Sequence, residues 1–271
     1  VLPQVGDHRR GAVDQVGLAA TELGPDGFLP ARPAAMAPVL AEHHLTAVGG
    51  FTSTVLHVPG HDPLPGVGRI LDGYAAVDAH TLILSADSGL AGYDTRPTLD
   101  RDGWRLLLTN LDRIAALAAS RGVRAVLHPH VGTMIETPDE VERVLDGSSI
   151  ALCLDTGHLY IGGTDPAELT RHVPDRIAHT HLKEVNGAIA AKVRDGRLTY
   201  TEGVRDGMYR PLGMGDVDVA AIVGHLERDG YTGWYTLEQD TILTEEPAGE
   251  GPVSDVRTSA DHVRRLLKAV V

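Results

Sequence analysis

The stretch LHPHVGTMIETPDE, residues 127–140, carries the transition on which the fold turns. The short apolar run Val123–Val126 ahead of it reads as a buried strand. His128 and His130 then arrive two positions apart, followed by a Gly132-Thr133 turn and by Glu136. Burying such polar groups costs free energy unless they are paired. At a strand end they either face water or converge on a metal or a substrate that satisfies them. Thr137-Pro138-Asp139-Glu140 is a capping box with proline at the first helical position, so a helix follows the turn.

Working outward, the same unit repeats. Short apolar runs at Gly17–Leu23, Leu45–Phe51, Thr81–Ser85, Val123–Leu127, Ile150–Leu154, Arg176–Leu182 and Trp234–Leu237 alternate with amphipathic segments. Trp104, Leu107, Leu108, Leu111, Ile114 and Leu117 recur at helical spacing before a stop at Gly122. Asp165-Pro166-Ala167-Glu168 caps a further helix, Asp216 opens another, and the last runs from about Ser254 to Val270. Strands alternating with helices imply parallel βα units. The expected fold is an α/β (β/α)8 TIM barrel, which takes ~250 residues, as a single domain over residues 1–271. An open doubly wound sheet would carry a G-x-G-x-x-G or Walker loop after an early strand, and neither occurs.

Composition limits the function. Of the 271 residues 42% are hydrophobic and 23% charged, the balance of a globular protein. A net charge of −13 repels nucleic-acid phosphates. Cys153 is the one cysteine, which suits a reducing cytoplasmic setting, and no apolar run is long enough to span a membrane.

Asp155, His181 and Glu238 fall at the carboxyl ends of their strands, and Glu136 follows another such end. In a barrel these ends share one rim, where active sites of the fold sit. Strand alternation places Ala151, Cys153 and Asp155 on one face, His179 with His181 on one face, and Trp234, Thr236 and Glu238 on one face. A single strand-end glutamate reads as a helix cap or rim salt bridge. The set Glu136, Asp155, His181 and Glu238 reads as a chelate for a divalent cation. Without one its carboxylates repel each other, and so many carboxylates favour Mn²⁺, Co²⁺ or Mg²⁺ over a structural zinc.

The segments TELGPDGFLP, LHPHVGTMIET, CLDTGHLYIGG, AHTHLKEV, YRPLGMGDVD and YTGWYTLEQD together resemble the myo-inosose-2 dehydratases, within the xylose-isomerase-like sugar isomerase/epimerase TIM-barrel superfamily. The Asp-Thr-Gly-His and His-Leu-Lys segments are common to the superfamily; TELGPDGFLP, HPHVGTMIET and GWYTLEQD are more particular to the dehydratases. The resemblance implies metal ligation by Glu136, Asp155, His181 and Glu238. It also implies removal of water from 2-keto-myo-inositol to give a trihydroxycyclohexane dione, with manganese or cobalt and with magnesium or zinc as alternatives. Family members begin with a strand, whereas residues 1–16 here read as the first helix and its lead-in. The first barrel strand is therefore expected to be missing, leaving an open seam.

Such an elimination needs a base for the proton beside the ketone and an acid for the departing hydroxyl. His158 and Lys183 are placed to reach a substrate, and His128 and His130 to shuttle protons or bind hydroxyls; Glu22 and Gln239 are assigned to substrate binding. The bland readings are packing behind the ligands for His128 and His130, a rim salt bridge for Lys183, and core positions for His179 and Cys153. Residues 184–210 are too long for a plain connection and are expected to form an ordered insertion over the barrel mouth, a surface excursion or a contact in a homo-oligomer. A dehydratase acting on a small cyclitol or keto-sugar is favoured. An isomerase or epimerase on the same metal site comes next, then cleavage of oxidised C-glycosides, and a non-enzymatic binding protein last.

Overall fold

Among the described residues, each apolar run read from the sequence contains parallel strand, and the amphipathic stretches between them fold as helix. The computed structural model describes residues 16–24, 28–30, 32–245, 247 and 249–270. The expectation for residues 1–16 thus lies outside the described residues except at Val16. The chain divides into two compact units.

The first unit comprises the described residues up to Ser85 together with Leu99–Leu127. It contains β1 (Ala20–Thr21), α1 (Pro33–Glu42), β2 (Thr46–Ala47), β3 (Gly49–Val55), α2 (Leu64–Tyr74), most of β4 (Thr81–Asp87), α3 (Arg101–Ala119) and β5 (Arg124–Leu127). β1 pairs in parallel with β2, and β4 with β5. Leu82, Ile83 and Leu84 on β4 and Leu107, Leu111 and Ile114 on α3 are fully buried, which is the periodicity of an apolar helical stripe facing a sheet. Asp100 caps α3 by accepting from Gly103 N at 2.8 Å. Gly49 has no alternative, because a Cβ there would overlap the Thr81 carbonyl.

The second unit comprises Ala86–Thr98 and the chain from His128 onward. Its elements are α4 (Pro138–Gly147), β6 (Ala151–Asp155), α5 (Thr156–Gly162), α6 (Pro166–His172), a 3-10 turn (Pro174–Arg176), β7 (Ile177–Leu182), β8 (Glu184–Val185), α7 (Gly187–Arg194), α8 (Tyr200–Arg205), β9 (Tyr209–Arg210), α9 (Val219–Arg228), β10 (Tyr235–Leu237) and α10 (Pro252–Val270). β7 lies between β6 and β10, parallel to both. The register sets His181 level with Asp155 on one side and Thr236 on the other, and Glu238 N donates to Leu182 O at 3.2 Å. Three strand ends therefore finish together.

The capping box of α4 forms as read, and Asp165 caps α6. Asp216 does not open a helix. The cap of α9 is Asp218, which accepts from Ala221 N at 2.9 Å, while Asp216 accepts from Gly187 N at 2.7 Å and so pins the start of α7. The long connection after β7 is folded throughout. β8 and β9 pair antiparallel and bracket α7 and α8. Glu184 anchors the following loop by accepting from Gly213 N at 3.0 Å and Val217 N at 2.8 Å. Among the described residues no helix is long and apolar enough to cross a membrane.

Candidate functional site

Asp155 ends β6 and caps α5, and its two oxygens have separate tasks. Oδ1 accepts from His158 N at 2.7 Å. Oδ2 is fully buried and lies 3.2 Å from His128 Nε2, 3.2 Å from Lys183 Nζ and 3.6 Å from His181 Nδ1, with no hydrogen bond of regular geometry. His128 Nε2 lies 3.1 Å from His181 Nδ1, and Glu238 Oε2 lies 3.0 Å from the same His181 nitrogen. One donor atom from each of His128, Asp155, His181 and Glu238 falls within 4.8 Å of all the others. Two imidazole nitrogens and two carboxylate oxygens converging on one buried point fit a divalent cation of the first transition row.

Lys183, two residues beyond His181 on the same strand face, reaches the same point. Its Nζ lies 3.0 Å from Glu238 Oε2 and 3.8 Å from Asp240 Oδ2. Burial alone would push this ammonium down, but Asp155 and Glu238 outweigh it and hold the pKa well above the lysine value. Burial likewise opposes charge on Asp155 and Glu238, and the adjacent Lys183 overrides it, so both stay ionised. The Thr156 hydroxyl fixes the strand end by donating to Lys183 O at 2.6 Å and accepting from Lys183 N at 2.8 Å.

His130 and His158 stack beside this group, ring centroids 3.6 Å apart and planes 30° apart. Burial, then the charges of His128 and Lys183, push the His130 pKa down to about 3, and burial pushes His158 down as well, so both rings are neutral at physiological pH. The turn carrying His128 and His130 is held by Met134 N to Ala86 O at 2.8 Å and by His130 N to Ile135 O at 2.9 Å. Gly132 sits there at φ +80°, and a Cβ would come within 2.6 Å of Tyr93 Cα. The connection after β7 contributes two phenols. Tyr200 donates to Asp240 Oδ2 at 2.9 Å, shares a 2.8 Å hydrogen bond with Tyr209, and packs on Tyr93 at 4.8 Å.

Of the residues expected at a metal, Asp155, His181 and Glu238 are brought together. Glu136 is not in that group; His128 occupies the fourth place. The Glu136 carboxylate accepts from Gly132 N at 2.8 Å and lies 3.4 Å from Arg96 Nε, so it secures the turn. Gln239, expected at the substrate, donates its amide to Asp255 of α10 at 2.9 Å. Glu22 follows β1 in the first unit. Tyr93, Tyr200, Tyr209 and Asp240 were not read from the sequence. The repeated turns of residues 184–210 pointed toward Tyr200 and Tyr209, and the family-like segments YRPLGMGDVD and YTGWYTLEQD contain Tyr209 and Asp240.

Residues 66–266 match a family model described as xylose isomerase-like TIM barrel. The chain belongs to the xylose isomerase-like TIM barrel family. Within that family it is similar to the inosose dehydratase of Geobacillus thermodenitrificans (strain NG80-2), with 32% identity over 176 residues, 64% of this chain and 57% of that protein. The chain thus spans little more than half the length of that curated relative. It is also similar to the rhizopine catabolism protein MocC of Rhizobium meliloti, with 30% identity over 264 residues, 94% of this chain and 79% of that one. The structure of the probable 3-DHS dehydratase AsbF from Bacillus anthracis superposes with a TM-score of 0.69 at 13% identity, over 97% of this chain and 94% of that chain. At such identity the likeness is one of fold. These TIM-barrel likenesses agree with the α/β fold read from the alternation of strands and helices.

Proposed function

We propose that the protein is a metal-dependent hydro-lyase that removes water from 2-keto-myo-inositol, giving a trihydroxycyclohexane dione. The observation that carries this reading is the convergence of His128, Asp155, His181 and Glu238 on one buried point beside a lysine and two neutral histidines. The similarity to inosose dehydratases supplies the substrate class. His128 Nε2, Asp155 Oδ2, His181 Nδ1 and Glu238 Oε2 would hold the cation, with manganese or cobalt the expected ions. A divalent cation there would act as a Lewis acid toward the keto group and a neighbouring hydroxyl. Lys183, kept charged by its carboxylates, favours negative charge developing on the substrate oxygens. His130 and His158, neutral and buried, are suited to proton transfer and hydrogen bonding. The substrate is a small molecule.

The test is incubation of the manganese- or cobalt-loaded protein with 2-keto-myo-inositol in deuterated water. Appearance of the dione, with loss of one water by mass, is the expected result. A deuterium-labelled epimer with the hydroxyl retained would replace this reading with an epimerase.

A further inference from the structure

Two buried phenols aim one half-exposed carboxylate. Asp240 lies beyond the end of β10, and its side chain is 45% exposed. The Tyr200 hydroxyl donates to Asp240 Oδ2 at 2.9 Å and lies 2.8 Å from the Tyr209 hydroxyl. A carboxylate only accepts, and each phenol has one proton to give. The Tyr200 proton goes to Asp240, so the Tyr209 proton goes to Tyr200. The chain from Tyr209 through Tyr200 to Asp240 therefore runs in one direction.

An ordinary surface aspartate needs no such support, because water satisfies both of its oxygens. Here two of the chain's seven tyrosines are buried behind one carboxylate. The start of α8 is itself tied down, since Tyr200 N donates to Asp94 Oδ1 at 2.7 Å. Lys183 Nζ lies 3.8 Å from Asp240 Oδ2 and 3.0 Å from Glu238 Oε2, so Asp240 borders the group that would hold the cation. The same ammonium stands 5.7 Å from the centre of the Tyr209 ring, within cation–π range. Gly157 permits that approach, because a Cβ there would come within 2.6 Å of Lys183 Cβ and 3.1 Å of Tyr209 Cε1. Both contacts of Asp240 fall on Oδ2; among the described residues none falls on Oδ1. One oxygen fixes the orientation of the carboxylate and the other faces outward beside the site.

We infer that Asp240 Oδ1 accepts a hydrogen bond from a substrate hydroxyl on the far side of the ring from the keto group, and that Tyr200 is the residue that positions it. This rests on the dehydratase reading for the reaction and adds a requirement on the substrate. A hydroxyl can donate to the carboxylate, whereas a keto oxygen has no proton to give and is repelled by it. Asp240 thus selects which end of a polyhydroxylated ring enters. The hydroxyl end lies against Asp240, and the keto end is left to His128, Asp155, His181 and Glu238. A ring without that hydroxyl leaves the carboxylate unmatched and is discriminated against.

The test uses the manganese-loaded full chain with two probes: turnover of 2-keto-myo-inositol, and calorimetric binding of myo-inositol, which has hydroxyls all round and no keto group. Asp240→Ala is expected to raise KM and to weaken myo-inositol binding at least tenfold, the worth of a hydrogen bond to a charged group. Manganese affinity is expected to stay within about twofold, which a role in supporting the cation would not allow. Asp240→Asn keeps the shape and a partner for Tyr200, guards against misfolding of the alanine variant, and is expected to show a smaller loss in the same direction. Tyr200→Phe keeps the ring and removes only the hydroxyl. It is expected to raise KM more than it lowers kcat, and to add nothing in an Asp240→Ala background, because it acts through that carboxylate. Equal binding of myo-inositol by wild type and Asp240→Ala, binding by neither, or a tenfold fall in manganese affinity overturns the assignment of Asp240. A Tyr200→Phe effect that persists in full without Asp240 overturns the positioning role. If wild type leaves 2-keto-myo-inositol intact while Asp240→Ala still loses myo-inositol, the dehydratase reading fails and the hydroxyl contact stands.

Discussion

Lys183 Nζ lies 3.2 Å from Asp155 Oδ2 and 3.0 Å from Glu238 Oε2, so one buried ammonium holds two carboxylates that would otherwise repel. Removing one partner of such a buried set is strongly destabilising, by about 3–5 kcal/mol. Lys183→Met is expected to lower the melting temperature of metal-free protein and to gain more from added manganese than wild type does, because the cation would then supply the missing charge. Thermal unfolding with and without manganese checks this; an equal metal-induced rise in both proteins contradicts it.

Asp155→Asn separates the two tasks of one carboxylate. Asparagine is as good an N-cap as aspartate, so α5 keeps its bond from His158 N. The anionic Oδ2 is lost. Metal affinity by calorimetry is expected to fall at least a hundredfold while far-ultraviolet circular dichroism is unchanged. Retention of wild-type affinity would remove Asp155 from the ligand set.

His128 and Glu136 are competing candidates for the same role, and among the described residues it is His128 whose ring lies with Asp155, His181 and Glu238. His128→Ala is expected to weaken metal binding at least tenfold. Glu136→Gln is expected to leave metal binding within about twofold and to cost roughly 1 kcal/mol in urea unfolding, the worth of a partly buried ion pair and one altered hydrogen bond. The opposite pattern would restore Glu136 as the ligand.

Glu184 gives a pH dependence of known sign. Burial raises its pKa above the glutamate value despite the N–H groups of Val217, Gly213 and Val185, with Asp216 adding to the rise. An acid that holds its proton more tightly when folded stabilises the fold at low pH. That contribution is lost as pH rises from the ordinary glutamate range through the folded pKa. The unfolding free energy of wild type minus that of Glu184→Gln is therefore expected to fall between pH 4 and pH 7. A difference that rises over that interval would reverse the assignment of burial as the dominant cause.

Much of this was legible from local pattern. The strand runs, the capping box at Thr137 and the cap at Asp165 rest on spacing within one element, and Asp155, His181 and Glu238 were readable because each sits at the end of its strand. Where the positions differ from expectation, the causes are physical. His128 is the first residue after β5 and continues the alternation of Arg124 and Val126, a signal that was present. Glu136 lies eight positions farther along, where a turn held by Met134 to Ala86 decides direction, and no local pattern encodes that bond. Asp216 and Asp218 offered two caps for one helix, and the choice was made by Gly187, almost thirty residues upstream. Tyr200, Tyr209 and Asp240 come together through pairing between distant segments.

The shared use of Asp155 also limits what mutation can do at that position. Asparagine keeps the helix start and forfeits the charge; glutamate keeps the charge, but an added methylene moves the carboxylate off the cap. Alanine forfeits both. A saturation library selected for activity should therefore return a single letter at 155, whereas Glu136, which accepts from Gly132 N, should tolerate glutamine. Adaptation of this pocket to new substrates would have to run through its rim, the connection after β7 and the tyrosines, around a residue that cannot change.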